Sequence, residues 1–287
     1  MPDPAPIDRL SSLLERFRVR AHPSGAVVRT GVRHFDAREG FGFLHVLRSG
    51  SMEVEHPGEA GLPRRLRIAE PTVLFYPRAA VHRFRLALEG GELNCALLEF
   101  DGGSRNPLAR ALPSLVVLPL ARVQGLAPAL TLLFEETERV RCGQRLLAER
   151  LFEVVLIQLL RWLLDHGAEA GVQPGLIAGL SDPRLARALV AIHEAPGERW
   201  SVERMARCAG MSRTAFAVAF RRIVGQTPAD YLVDWRITLA QARLRAGRPL
   251  EPLAGELGYA NASGLSRAFA ARTGLSPRNW LRGDGAA

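Results

Sequence analysis

The sequence predicts a two-domain α+β protein, with strands followed by helices in the N-terminal part and helices alone in the C-terminal third. Three observations carry that prediction. Short apolar or alternating runs, separated by Gly, Pro and charged turns, fill residues 24–100, the pattern of a β-sandwich or small barrel. Helical periodicity replaces them after "DGGSRNP". One short unit is then written twice, as "GMSRTAFAVAFRRIVGQTPADYL" from Gly210 and as "GYANASGLSRAFAARTGLSPRNWL" from Gly258.

The strand runs are "AVVRT", "FGFLHVL", "SMEVE", "RLRIA", "TVLFY", "HRFRLAL" and "LNCALLEF". Two helices are expected next, "LAPALTLLFEETERV" and "GQRLLAERLFEVVLIQLLRWLLDH". The second places Leu147, Leu151, Val154, Val155, Ile157 and Gln158 at steps of three and four. Such a stripe fits packing on the strands or contact with a second copy as a homodimer, and periodicity does not choose. "GAEAGVQPGLIAG" mixes small residues, Gly and Pro, so residues 167–180 are expected as a linker between domains at 1–166 and 181–287. "SDPRLARALVAIHEAPG" opens the second domain with Ser and Pro in helix-start positions.

Charge is uneven. From Asp182 to the end there are 16 Arg against 9 acids, a net of +7; the preceding 181 residues carry 22 Arg and 20 acids, a net of +2. The last third would therefore favour a polyanionic partner. A solvated basic surface is the plain alternative, and charge alone does not choose. Cys95, Cys142 and Cys208 are too few and scattered for a disulfide framework or a zinc site. "MPDPAPIDRL" lacks the pattern of a signal peptide. "LFEVVLIQLLRWLL" is interrupted by Glu153 and Arg161 and is shorter than the roughly 20 residues of a membrane helix. A cytoplasmic protein with no membrane partner is expected.

The repeated unit has mechanics. Ser201 and Ser212 stand where side-chain oxygens cap two short helices. Met205, Ala206, Phe216 and Phe220 fall where helices crossing steeply would bury them, and Gly210 sits where the turn needs positive φ. That is a helix-turn-helix. In the second copy Leu253, Ala254, Gly258, Leu265, Phe269, Gly274, Pro277 and Trp280 take the matching places, offset by 269 − 220 = 49 at the later landmarks and 258 − 210 = 48 at the glycines. One copy is weak evidence, because any helical pair with a Gly turn mimics it. Eight agreeing landmarks are hard to obtain by accident. "PADYLVDWRITLAQARLRAG" reads as one helix between the copies. A helix of 20 residues is about 30 Å long, and successive major-groove faces lie about 34 Å apart. One chain can thus present two reading helices to adjacent turns of DNA.

At "IVGQTPADYL" and "RTGLSPRNWLR" the chain resembles the AraC/XylS-type family of bacterial transcription regulators, over residues 181–287. "FLHVLRSGSMEVE" and "LFYPRAAVHRF" resemble the branch with an N-terminal cupin-like β-barrel as sensor. The resemblance implies a sequence-specific DNA-binding transcription factor, an activator in many members, acting on promoters in response to a signal at the N-terminal domain. Its implied partners are double-stranded promoter DNA, RNA polymerase and a small-molecule effector. Carried over by position, base reading falls on Thr214, Ala217 and Val218 in the first unit and on Ser263, Ser266 and Arg267 in the second. Arg267 suits a bidentate contact to guanine, worth about 1–3 kcal/mol of discrimination. Arg213, Arg221, Arg222 and Arg272 suit phosphates, and Ser212 joins them at the head of its helix.

Some members of that branch sense oxidants through barrel cysteines. Cys95 lies near such a position, but no Cys precedes it. A switch would need Cys142 or a second copy, and a buried apolar filler is the plainer reading of Cys95. His45, His56 and His82 include no closely spaced His-x-His with a following Glu, so no metal, cofactor or catalytic residue is expected. That counts against the rival reading, a cupin-type metal-dependent enzyme with an accessory helical domain. A protein-binding adaptor has no use for paired helix-turn-helix units on a basic domain.

Overall fold

The computed structural model describes residues 7–284. Residues 17–173 form one unit. Residues 174–284 form the other, together with a short N-terminal helix, α1 (Ser11–Arg16).

In the first unit, among the described residues, the strands are β1 (Val19–Pro23), β2 (Gly31–Phe35), β3 (Phe41–Ser49), β4 (Met52–Glu55), β5 (Arg65–Ile68), β6 (Thr72–Tyr76), β7 (His82–Leu86) and β8 (Glu92–Phe100), then, after helix α2 (Pro107–Ala111), β9 (Val116–Pro119). They make two antiparallel sheets, in the orders β1-β8-β3-β6-β9 and β2-β7-β4-β5. Leu47, Tyr76 and Leu93 from the first sheet meet Val54, Phe84 and Leu86 from the second in one buried cluster. Each such side chain contributes roughly 1.5–3 kcal/mol by leaving water. β3 is buried on both faces, with Leu44 and Val46 fully enclosed opposite Phe43 and His45. Helices α3 (Leu126–Glu138) and α4 (Gln144–Asp165) pack on each other, and α4 lies against β1. The packed face of α4 runs through Leu151, Phe152, Val155, Leu156 and Leu159; of the stripe read from sequence only Leu151 and Val155 are buried, and Leu147 and Val154 keep 40% exposure.

The strands depart from the sequence reading at the edges. "AVVRT" forms only an isolated bridge, Val28 to Leu93, and the strand begins at Gly31. The chain changes sheets between the two, pairing first with β8 and then with β7. β1 and β9 are short edge strands outside the stretch read as strands.

The second unit continues with α5 (Leu176–Ser181), α6 (Pro183–Glu194), α7 (Val202–Cys208), α8 (Arg213–Val224), α9 (Pro228–Arg245), α10 (Leu250–Glu256), α11 (Ala262–Thr273) and α12 (Pro277–Asp284). The expected linker is thus partly structured. Leu176, Ile177 and Leu180 are buried, and α5 packs on α6 and α8. The cap of α6 is Asp182, one residue after the expected Ser, and its carboxylate accepts from the Arg184 and Leu185 N–H groups with Pro183 at the first helical position. α1 docks on α6 through fully buried Leu13, and Arg9 and Arg16 donate to the carbonyls of Leu180 and Glu194.

Candidate nucleic-acid interface

The two copies share their plan, though Pro249 at the head of α10 gives no side-chain cap where Ser201 caps α7. Ser201 Oγ accepts from Arg204 N–H at the head of α7, and Ser212 Oγ from Ala215 N–H at the head of α8. Asn261 does the same for α11 through Gly264 N–H, 49 residues after Ser212 (261 − 212 = 49). Thr227 caps α9 just as Ser276 receives Asn279 N–H at α12, each followed by Pro. Gly210 has φ +64, a value that L side chains rarely adopt, so the turn between α7 and α8 requires it.

Inside each copy the expected residues are core. Met205, Ala206, Phe216 and Phe220 are at most 2% exposed, and Leu253, Ala254, Leu265 and Phe269 are fully buried. Burying those faces turns the opposite faces of α8 and α11 outward. On α8, Ser212, Arg213, Thr214, Val218, Arg221 and Arg222 are exposed and Ala217 is half-buried. On α11, Ser263, Arg267 and Arg272 are exposed and Ser266 is half-buried. Thr214, Ala217 and Val218 stand at i, i+3 and i+4, and Ser263, Ser266 and Arg267 repeat that spacing. Val218 is 65% exposed.

The arginines differ in what they hold. Among the described residues no carboxylate pairs with Arg221, Arg222 or Arg267. Arg213 Nε lies 2.7 Å from Glu203. Arg272, read from sequence as a phosphate contact, is committed within the protein: it donates to Asp230 at 2.5 Å and lies 3.2 Å from Asp234, both on α9. Its guanidinium ties the second recognition helix to the central helix. The pairing also holds the Asp230 carboxyl below its ordinary pKa, after the Thr227 hydroxyl bond. No local signal announces it, because the acids lie on a different helix.

In the first unit, Cys95 is buried on β8 directly across from His45 on β3. Burial pushes its thiol well above the ordinary range, so the reactive thiolate is suppressed. Cys142 is exposed, and all three cysteines are free thiols. The histidines do converge, which their spacing did not reveal. His45 Nε2 and His82 Nε2 are 2.9 Å apart. His82 Nδ1–H donates to the Ala80 carbonyl, so its Nε2 accepts from His45 Nε2–H, and His45 Nδ1 is left as a buried acceptor without a partner. His56 donates from Nδ1 to Pro63 and accepts from the Tyr76 hydroxyl at Nε2. Among the described residues no group of three or more His, Cys, Asp or Glu side chains is arranged to hold a metal ion. A cavity of about 660 Å³ opens beside the β4–β5 hairpin, with Glu55, Glu59, Arg64, Arg65 and Arg83 around its wall. Among the described residues no helix is long and apolar enough to cross a membrane.

Two family models match the chain, a cupin over residues 8–165 and a helix-turn-helix domain over residues 205–283. A protein of Streptomyces lividans named as an AraC-like transcription regulator is 30% identical over 303 residues, covering 96% of this chain and 98% of that one. A second, from Streptomyces antibioticus, is 37% identical over 174 residues, covering 60% of this chain and 57% of that protein. Among solved structures, the DNA-binding domain of AdpA in complex with a target DNA is 29% identical, covering 37% of this chain and 95% of that one with a TM-score of 0.33.

Proposed function

The chain belongs to the AraC-like transcription regulators, with a cupin domain followed by a helix-turn-helix domain, and from that premise we propose that α8 and α11 are its two DNA-reading helices. It is a DNA-binding transcription factor whose N-terminal domain receives the signal. Its relatives are regulators, and no catalytic residue is proposed.

The observation that carries the assignment is the duplicated exposed face at i, i+3 and i+4, standing opposite a duplicated core. The faces differ in chemistry. Thr214, Ala217 and Val218 offer methyl groups suited to thymine, whereas Ser263, Ser266 and Arg267 offer hydrogen bonds, with Arg267 directed to guanine. Ser212, Arg213, Arg221 and Arg222 hold phosphates, and Arg213 must loosen its pair with Glu203 to do so. Arg272 serves as a tether instead of a phosphate contact. The 18 residues of α9 span about 27 Å at 1.5 Å each, of the order of the roughly 34 Å between successive groove faces.

The proposed seat of a small-molecule effector is the open pocket beside β4–β5, where Arg64 joins Arg65 and Arg83, both already paired with Glu55. The apolar side chains left outside on α4, Leu147 and Val154, are the proposed homodimer contact. A regulator seated at a promoter acts on RNA polymerase, the remaining proposed partner. The test is selection of duplexes from a random-sequence pool by the full chain. Two protected segments about one helical turn apart are expected, with affinity falling steeply as salt rises. A single protected segment, or no selection, overturns the two-reader assignment.

A further inference from the structure

Gly197, in the loop between α6 and α7, meets Gly258, in the turn between α10 and α11, backbone to backbone. A Cβ on Gly258 would lie 2.5 Å from the Gly197 carbonyl oxygen and 2.7 Å from Arg236 Nη2; one on Gly197 would lie 2.3 Å from the Glu256 carbonyl oxygen. Gly258 also has φ +76. The loop that leads into the first reader and the turn inside the second therefore approach to a distance that any side chain would forbid.

Arg236, midway along α9, fastens the same junction. Its Nε donates to the Pro196 carbonyl at 2.8 Å and its Nη2 to the Glu198 carbonyl at 2.9 Å. The guanidinium also stands 5.6 Å over the ring of Tyr259, the residue after Gly258. A planar fork that engages two carbonyls fixes direction as well as distance, which a lysine cannot do. Arg272 on Asp230 and Asp234 holds the second recognition helix to α9, and Arg243 pairs with Glu256 at the end of α10. Both readers are thus tied to α9, and through Arg236 to each other.

We propose that Arg236, acting with the Gly197–Gly258 contact, is a positioning residue that sets the number of base pairs between the two half-sites. The proposal rests on the DNA reading above. Each base pair moves a half-site by about 3.4 Å and turns it by about 34° around the duplex. Two readers held only by the ends of α9 would follow such a change; readers clamped at the junction cannot, and must bend or twist the DNA instead.

The probe is the duplex that the full-length protein selects from a random-sequence pool, together with the same duplex carrying one base pair more or one fewer between its protected segments. The unsubstituted chain is expected to lose about tenfold or more in affinity on either altered duplex. Arg236→Gln is expected to bind the selected duplex about tenfold more weakly, yet to lose less than about threefold on the altered ones, and to bind an isolated half-site as before. Equal weakening on all three duplexes, with the spacing penalty unchanged, would overturn the proposal. Should Arg236→Gln fail to fold by circular dichroism, Arg236→Lys carries the same comparison, keeping the charge and losing the planar fork. If the unsubstituted chain selects no duplex, the DNA reading itself fails; if it selects one and tolerates the altered spacing, the clamp alone fails.

Discussion

Phe269 meets Trp280 edge to face at 5.5 Å, and Phe220 meets Tyr231 in the same geometry at the same distance. Each contact closes a copy of the unit. The Pro-led helix after the recognition helix folds back so that its aromatic side chain covers the buried phenylalanine. In the second copy Arg245 of α9 lies 4.4 Å over the Trp280 ring, so the closure is also an attachment to the central helix.

Phe269→Ala should cost about 3–5 kcal/mol, the range for emptying an enclosed aromatic site. Phe220→Ala should cost a similar amount, because both rings are fully buried in equivalent pockets. Trp280→Phe keeps an aromatic edge on Phe269 but removes ring volume and weakens the Arg245 stacking, and should cost less than either alanine change. The midpoint of denaturant unfolding of the full chain reads all three. A loss below about 1 kcal/mol for either alanine variant would mean that the ring does not anchor its reader.

Acid should weaken the sensor unit through His45 and His82. Burial drives both imidazoles toward the neutral form, His82 down to about 4, with His45 lowered further by its neighbour. The unfolded chain binds protons from about pH 6.5 downward, so the folded state is favoured fully above that pH and loses stability as pH falls toward 4. At pH 5 the His82 contribution alone comes to about 2 kcal/mol. Thermal melts at pH 7 and pH 5 should show the drop, and His45→Phe with His82→Phe should shrink it. A double variant with the pH dependence of the unsubstituted chain would show that the pair stays neutral for another reason.

The duplicated unit was legible because all of its signals are local. The cap, the turn glycine, the two buried core positions and the G-x-x-P stop fall within about 25 residues, and each acts on its own helix. The edge strands were not, since β1 pairs Val19 with Phe100 and no residue near Val19 reports that partner. Arg272 shows the same limit at the site. Its local sequence gives an exposed arginine on a recognition helix, whereas Asp230 lies 42 residues earlier and reaches it only through the tertiary fold. His45 and His82 are 37 residues apart and converge because β3 and β7 lie in facing sheets. Cys95 lies in an apolar strand and is buried there.

Maleimide should modify Cys142 in the native chain and leave Cys95 untouched. Cys142 is exposed, whereas Cys95 is enclosed with its thiol held protonated by burial. Cys95→Ser should leave promoter regulation intact and cost about 1–3 kcal/mol for the buried hydroxyl. Loss of a response to oxidant in that variant, with its melting temperature little changed, would make Cys95 the sensor after all.

Arg267 and Arg221 should fail in different ways when removed. Both are exposed and without a carboxylate partner, so neither substitution should shift stability by more than about 0.5 kcal/mol. Arg267→Ala should weaken the selected duplex by about 1–3 kcal/mol and relax preference at one base pair, because a bidentate contact to a base edge distinguishes guanine from the other bases. Arg221→Gln should weaken every sequence alike and lower the slope of log affinity against log salt by about 0.9, the release of one counterion. Titrations of both variants against matched and mismatched duplexes at several salt concentrations separate the two. Uniform loss for Arg267→Ala would make it a phosphate contact, and the second reader would then hold only the hydroxyls of Ser263 and Ser266 for distinguishing bases, too little to specify a half-site alone.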